Sequence, residues 1–552
     1  MTFRRVATVL SVCVVSFCCV GCDTTTAPAF TTTPTIAANP NRDVPLAAIV
    51  SAATNEPTVL QIQISDGNRD WKIPTSEKLA TSHSLALLGF KPDRRHVVHV
   101  TARNAAGNVS ATIPLEFETE PLPDYFPMLE VSVSKPEKME PGVTLFALMR
   151  WPDGGDNDEE FGLAIAVDEH GEVVWYRRND PMFEDPHRMA SGNLISLVGY
   201  NRAEEVDMLG NTVASWHASK HPNPEADALV PEGSIPVATE TFHHDIQEMP
   251  SGNLLVLSTE MRRIADYPTV VDDDKAAKAP ANVIGDVVVE FARDGSIVNE
   301  WKLLDLLDAR RLGYESLGPI WGEWAYKGVE GGTKDWGHSN SVSYQPDTDS
   351  ILVSVRHQEA VISISRENGE LNWILGAHEG WGEPWAPYLL KPEGEFEWPY
   401  HQHAAETTAS GSLILYDNGN FRSLPPKPTS TVEESYSRAV EYAIDTESRT
   451  IRQVWSYGGP GEEVFYSPFI GEADQLPQTG NVLITDGGRI RDEQGRPSGR
   501  IVGGHHWARI VEVTHSDHPE KVFEMTVDSR EHEKSVGWAV YRSDRLPSLY
   551  GN

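Results

Sequence analysis

One hairpin pattern is written six times in this chain, and it limits the fold more than any other feature. Each copy has an apolar strand, a turn with Asp or Asn and often Gly, and a second strand ending on an aromatic residue. The copies are Ala164–Trp175, Val206–Trp216, Val288–Trp301, Val361–Trp373, Val440–Trp455 and Ile510–Phe523. A short apolar run precedes each: Val143–Leu148, Leu194–Val198, Leu254–Leu257, Ile351–Val355, Leu413–Tyr416 and Val482–Thr485. Apolar runs of this length, bounded by turn residues, read as buried strands. The segment leading into each run completes a four-stranded unit. Six such units predict a six-bladed β-propeller, in which radial repetition protects the strand edges. The first unit lacks a leading segment before Val143, and the C-terminal Val536–Tyr541 could supply it and close the ring. An unclosed stack of hairpins is the alternative.

The leading segments are where histidine collects. Phe242-His243-His244-Asp245 runs through the turn Pro250-Ser251-Gly252-Asn253 into the apolar run at Leu254. His403 precedes Gly411 by the same interval that His244 precedes Gly252. His338-Ser339-Asn340-Ser341 begins a looser third copy. The innermost strand of a propeller blade lines the central channel, so His244, His338 and His403 are expected to converge at one mouth. Asn340 follows His338 by two, on the same side of an extended strand. Arg356 closes the apolar run of the fourth unit. A single histidine is usually a hydrogen-bonded core or surface residue, but three at matching repeat positions point to a site. Two chemistries fit: a three-histidine metal centre, or a metal-free anion site with an arginine clamp and one histidine as nucleophile or base. Arg356 favours the second, because a fixed cation is unhelpful beside a metal and useful against a sulfate or phosphate oxygen. There is no phosphate-binding glycine loop and no serine nucleophile elbow.

Length and charge narrow the function further. The 552 residues, 39% of them hydrophobic and 15 of them Trp, can build a large core. A net charge of −35 argues against nucleic acid, whose phosphates it would repel. Residues 1–21 read as a lipoprotein signal peptide: Arg4 and Arg5, then an apolar stretch too short to span a bilayer, then Cys19-Val20-Gly21-Cys22, with Cys22 the expected lipidation site. An ordinary cleaved signal is the alternative. All four cysteines lie at or before Cys22, so the mature chain would hold no disulfide, no thiol nucleophile and no cysteine metal ligand. Residues 22–38 are rich in Thr and Pro and read as a tether. Residues 39–121 show short alternating strands such as Val59–Ile64 and His96–Ala102, the pattern of a small fibronectin- or Ig-like β-sandwich. Residues 136–552 are the expected propeller. The fold class is all-β.

His243-His244-Asp245, His338-Ser339-Asn340-Ser341, Ser354-Val355-Arg356-His357-Gln358, Gln402-His403-Ala404-Ala405, Tyr416-Asp417-Asn418-Gly419, Ser437–Tyr442 and Val454–Gly458 together resemble the bacterial arylsulfate sulfotransferases. The resemblance runs from about Pro136 to the end. It implies an exported six-bladed propeller that moves a sulfuryl group from a phenolic ester to another phenol without a nucleotide donor and without a cofactor. By that resemblance His403 is the nucleophile that becomes transiently sulfated. His338 and Arg356 hold the sulfuryl oxygens, His244 is an acid/base or stabilising group, and Asn340 and His243 contact substrate. It implies no metal. Its partners are small aryl sulfates and phenols, with no nucleic acid, membrane contact only through a lipid anchor, and a homodimer left open. The best-known members rely on a disulfide, which this chain departs from. A sulfate-ester hydrolase on the same site and a non-catalytic cell-surface binding propeller remain the competing functions. Trp336, Trp398 and Tyr400 stand near the histidines in sequence, as aryl-stacking or core residues.

Overall fold

The computed structural model describes residues 26–74, 77–151, 161–179, 183–223, 225–226, 230–273, 275–461, 463–529 and 537–551. The signal segment, Cys22 and Val536 lie outside them. The chain divides into two compact units. The first comprises Met1–Ile36 (described from residue 26), Val50–Leu85 and His96–Phe117; the second comprises Ala37–Ile49, Ala86–Arg95 and Glu118–Asn552.

A six-stranded sheet makes up the N-terminal part of the chain. Its long strand Ala48–Ser65 pairs with Phe30–Ala38, Asp70–Ile73, Ala80–Leu87 and Arg95–Asn104, and Ile113–Glu118 follows at the edge. Residues 30–38 are therefore a strand, where the composition suggested a tether. The physical reason is local: Thr31, Thr32, Thr33, Thr35 and Ile36 are β-branched and favour extended backbone. Pro34 is tolerated because this strand sits at the sheet edge.

Six sheets follow, each built on four antiparallel strands, and all six hairpins and apolar runs read from the sequence fall inside them. The inner strands are Phe183–Arg188, His243–Glu248, Ser339–Gln345, His403–Thr407, Glu472–Gln475 and Gly537–Leu546. Each touches the next, and the last touches the first, so the ring is closed. Both chain ends tie it. Gly537–Leu546 pairs with Val143–Trp151 as the inner strand of the first sheet. Met128–Ser134 pairs with Lys521–Asp528 as an extra outer strand of the last. The propeller thus begins before Pro136, a strand that the repeat pattern alone does not reveal.

The apolar runs lack alternation because each is covered on both faces. Leu254 and Val256 pack with Ile195, Leu197 and Trp216 of the second sheet. Leu255 and Leu257, on the opposite face, pack with Val342, Ile351 and Val353 of the fourth. A strand buried between two sheets has no solvent side to mark with polar residues. The aromatic ending several hairpins also has a structural job. Trp175 Nε1 donates to Met208 O (2.9 Å), Trp216 Nε1 to Arg293 O (3.0 Å) and Trp455 Nε1 to Ser516 O (3.2 Å). Each bond reaches the hairpin turn of the following sheet and fixes the spacing between blades.

Candidate active site

The inner strands of the second to fifth sheets share a local distortion near their start. Pairing slips between Glu184 and His187, His243 and Ile246, Ser339 and Ser341, and His403 and Glu406. Bulges of this kind re-aim side chains at strand ends. Left-handed backbone accompanies them: φ is 51° at Asp185, 59° at His244, 53° at His338 and 50° at Ala404. Non-glycine residues held there are strained, and such strain clusters at functional sites. The bulges also explain why equal sequence intervals mislead. His403 pairs with Tyr416, and the position matching Tyr416 in the third sheet is Leu257, whose partner is His243 rather than His244. The third sheet carries one more residue in its bulge, and that residue brings His244 into the channel.

Five imidazoles form a continuous chain of ring contacts. Centroid distances are 5.0 Å from His243 to His244, 4.9 Å to His338, 4.8 Å to His357 and 5.8 Å to His401. Their hydrogen bonds set their tautomers. His243 Nε2 lies 3.0 Å from Ser258 O, an acceptor only, so Nε2 carries the hydrogen. Its Nδ1 then accepts from His244 Nδ1 at 2.8 Å. That leaves the lone pair of His244 on Nε2. Burial holds both rings neutral, with His243 pushed down to about 3 and His244 well below its ordinary value. His243 has both nitrogens spent and is wholly buried, so it braces His244 and offers no nitrogen to a substrate.

His357 is fixed in the same way. Nδ1 donates to Asp335 O (2.9 Å), and Nε2 accepts from Arg356 Nη1 (2.8 Å). Burial pushes it down to about 3. His338 stacks on His357 and places Nδ1 2.6 Å from Asp335 Oδ2. Trp321 Nε1 holds the other Asp335 oxygen at 2.9 Å. Burial would raise the Asp335 carboxyl, but His338 and His357 outweigh it and keep it low.

His403 stands on the next inner strand. The Asn418 amide donates to Ser467 O and Ile470 O, both at 2.8 Å, which turns its oxygen toward His403 Nδ1 at 2.6 Å. His403 Nδ1 therefore carries the hydrogen and Nε2 the lone pair. In the free protein Ile470 N–H donates to that lone pair at 3.2 Å. Burial, with Arg356 nearby, holds His403 well below its ordinary value, so the imidazole is neutral at pH 7. Arg356 opens the 3-10 turn Arg356–Gln358 and is 5% exposed. Besides His357 it reaches Glu315 Oε2 (2.6 Å) and Pro468 O (3.3 Å).

Asn340 does less than its position suggested. Its amide donates to Gln402 O (2.9 Å) and its backbone carbonyl accepts from Arg542 (2.8 Å), so it ties neighbouring inner strands together. Its side chain is fully buried. Trp336 is likewise a core residue, with Nε1 on Arg311 O. Several aromatic rings face the histidines: Trp324, 5.8 Å from His338 and 6.1 Å from His244 and backed by Tyr200 stacked at 4.6 Å, Trp321 at 5.0 Å from His243, and Phe421 at 5.1 Å from His401.

Four sets of side chains among the described residues have the spacing to hold a metal ion. Two of them use His357, whose nitrogens are taken by Arg356 and Asp335 O. A third, Asp185, His187 and Asp245, has Arg542 Nη1 2.8 and 3.2 Å from its carboxylates, so a cation already sits there. The fourth, Glu406, Glu472 and Asp474, lies further along the channel-lining strands.

A model of the arylsulfotransferase (ASST) family matches residues 130–541, more than half of the chain. The chain belongs to the arylsulfotransferase family. Among curated proteins it is similar to arylsulfate sulfotransferase AssT of Escherichia coli O6:H1 (strain CFT073), 28% identical over 355 residues, covering 55% of this chain and 54% of that one. AssT of Lelliottia amnigena is 25% identical over 389 residues, covering 61% and 59%. The chain thus spans little more than half the length of the curated relatives it matches. Among solved structures the likeness is shallow: the β-propeller domain of Myceliophteria thermophila Cps50 (Swd1) aligns at TM-score 0.29 and 9% identity, covering 70% of this chain and 87% of that one.

For an arylsulfotransferase site, the residues that the sequence reading passed over are Glu315, Asp335, Glu359, His401, Asn418 and Trp324. Asp335 lies three residues before His338 and Asn418 lies in the motif Tyr416-Asp417-Asn418-Gly419, so local signals existed for both. Glu315 and Trp324 come from the long insertion between the third and fourth sheets, which has no counterpart in the repeat.

Proposed function

We propose that this protein is an arylsulfate sulfotransferase working by a ping-pong mechanism through a sulfohistidine on His403. The observation that carries the proposal is the His403 environment: a neutral imidazole with its lone pair fixed on Nε2, beside a buried guanidinium. A neutral imidazole is a competent nucleophile, and a fixed cation stabilises charge on the oxygens of a transferring group.

In the first half-reaction Nε2 gives up the Ile470 N–H bond and attacks the sulfur. The S–O bond to the aryl group breaks and the phenol leaves as phenolate, which is stable enough to need little acid assistance. Arg356 and His338 face the sulfuryl oxygens, and the Asp335 carboxylate steadies His338 from behind. In the second half-reaction an acceptor phenol gives its proton to His244 Nε2 and attacks sulfur, the S–N bond breaks to restore His403, and His244 releases the proton to solvent, from which the departed phenolate takes one up. Trp324 offers a face to the aryl ring. Cys22 would anchor the exported chain to a membrane, which radiolabelled palmitate incorporation into the chain, and its loss in Cys22→Ala, would test.

Incubation with 4-nitrophenyl sulfate alone should leave a sulfuryl adduct on His403, seen by intact-mass and peptide analysis. Adding phenol should discharge the adduct and speed nitrophenol release. His403→Ala should abolish both, and full turnover in that variant would sink the assignment. Release that ignores added phenol would instead favour a hydrolase.

A further inference from the structure

Arg356 is not alone in facing a negative oxygen. Glu315 Oε2 lies 2.6 Å from Arg356 Nη1, 3.3 Å from His401 Nε2 and 3.7 Å from His357 Nε2. Arg356 Nη1 donates to this oxygen and His401 Nε2 stands within ion-pair reach, whereas His357 Nε2 is the acceptor of the Arg356 bond; two nitrogens therefore face the position that a sulfuryl oxygen would take. The two sides of the contact differ in rigidity. Arg356 and His401 side chains are 6% and 0% exposed, whereas the Glu315 side chain is 41% exposed. His401 is also braced from behind, with Nδ1 2.6 Å from Oε1 of the fully buried Glu359. Burial would lower His401, but the Glu359 carboxylate outweighs it and the net shift is upward, toward the imidazolium. Arg356 and His401 are therefore fixed, buried side chains, and the carboxylate reaches them from a half-exposed position.

The loop that carries Glu315 is built for this. It is held against the Arg356 turn on one side of Glu315, where a Cβ at Gly313 would come within 1.9 Å of His357 O. On the other side Ser316 Oγ approaches His357 O at 3.4 Å and takes the Gly313 N–H at 3.0 Å. Between these anchors Glu315 adopts φ 70°, a left-handed conformation that turns its side chain inward. A non-glycine residue kept in that region points to a positional demand.

We propose that the Glu315 carboxylate occupies, in the free protein, the position of a sulfuryl oxygen between Arg356 and His401, and that an incoming sulfate ester displaces it. The inference rests on Arg356 being the sulfuryl clamp. It adds His401 as a second binding cation and makes Glu315 a built-in competitor. The Glu315 side chain is 41% exposed and has a way out to water, while the buried Arg356 and His401 side chains are fixed in place. Keeping an anion on the clamp spares those cations from standing unpaired between turnovers. It also sets a threshold, because weakly bound anions fail to displace an intramolecular rival.

The test is titration of inorganic sulfate into the full chain and into Glu315→Gln by calorimetry, alongside KM for 4-nitrophenyl sulfate. Removing the internal charge should tighten sulfate about tenfold, the scale of one charge-assisted hydrogen bond, and lower KM in parallel. Glu315→Asp, one methylene shorter, should fall between. His401→Asn should weaken sulfate in the Glu315→Gln background, and circular dichroism verifies that each variant is folded. Sulfate affinity that is unchanged or weaker in Glu315→Gln would overturn the proposal, since a carboxylate that merely props Arg356 would raise KM when lost. Sulfate binding needs no turnover. Failure of the transferase reading would appear as no acceptor-dependent release by the unmodified protein, whatever the titration gives.

Discussion

The two ends of the central channel solve opposite electrostatic problems. At the start of the inner strands lie His244, His338, His357, His401, His403 and Arg356. Further along the same set of strands lie Asp185, Asp245, Glu406, Glu472, Asp474 and Asp544 around Arg542 and His187. At the histidine end burial keeps four rings neutral, and Arg356 is paired with Glu315. At the acidic end there are six carboxyls for one guanidinium. Asp245 stays ionised because Arg542 and His187 outweigh its burial. Burial and neighbouring carboxyls push Glu472 and Asp474 well up, toward the protonated form. The contrast gives the channel a direction. At the acidic end the one guanidinium is already paired with Asp185 and Asp245, whereas Arg356 at the histidine end is paired with the half-exposed Glu315.

The comparison breaks most sharply at Arg542. Its side chain is 3% exposed and pairs with Asp185 at 2.8 Å and Asp245 at 3.2 Å. Arg542→Met should cost about 3–5 kcal/mol of stability, because it leaves buried charge uncompensated. Urea denaturation measures this, and adding Asp245→Asn should recover part of the loss. A fully stable Arg542→Met would mean that the acidic end is not held by this guanidinium.

Arg356→Met is the counterpart at the other end, and the kind of damage should differ. Loss of a fixed donor to the transferring group should lower kcat/KM for 4-nitrophenyl sulfate by about 10²–10³. The stability loss should be much smaller than for Arg542→Met, because the orphaned Glu315 is 41% exposed and can be hydrated. Equal losses of stability in the two variants would erase the distinction between a working and a structural arginine.

Most of this contrast could be read in the sequence at one end only. The repeat registers the inner strands, and His244, His338, His403 and Arg356 follow from it because they sit at repeat positions. The acidic end was not legible. Asp245, Glu406 and Asp544 look like ordinary polar residues beside turns, and only closing the ring brings the six carboxyls of five strands to one place. Glu315 was hidden for a different reason: an insertion has no period. Bulges blurred the choice between His243 and His244, because one extra residue breaks the match between interval and register. Residues 30–38 misled through composition, since threonine serves a linker and a strand equally well.

A smaller effect should come from Asn418, whose oxygen fixes the His403 tautomer. Asn418→Ala leaves His401 O, 3.2 Å from Nδ1, as a partial substitute. We expect kcat to fall about tenfold, the worth of roughly one hydrogen bond, with KM nearly unchanged. A rise in KM with kcat intact would place Asn418 in binding rather than in orienting the nucleophile.

The smallest expected effect is in the pH dependence of stability, where the two ends oppose each other. His243 and His357, pushed down to about 3, stay neutral when folded but take up protons when unfolded as pH falls below about 6.5. The unfolded state then binds more protons, so acidification from pH 7 to pH 5 destabilises through the histidine end. Glu472 and Asp474 act in the reverse sense. Their raised carboxyls hold protons in the folded state at a pH where the unfolded carboxyls are ionised, so acidification stabilises through the acidic end. The slopes partly cancel. Asp474→Asn removes one acid-side contribution and should steepen the loss of stability between pH 7 and pH 5, by at most about 1.4 kcal/mol per pH unit. Denaturation midpoints at pH 5, 6 and 7 measure it, and an unchanged slope would mean that Asp474 is ionised in the folded channel and that another group offsets its charge.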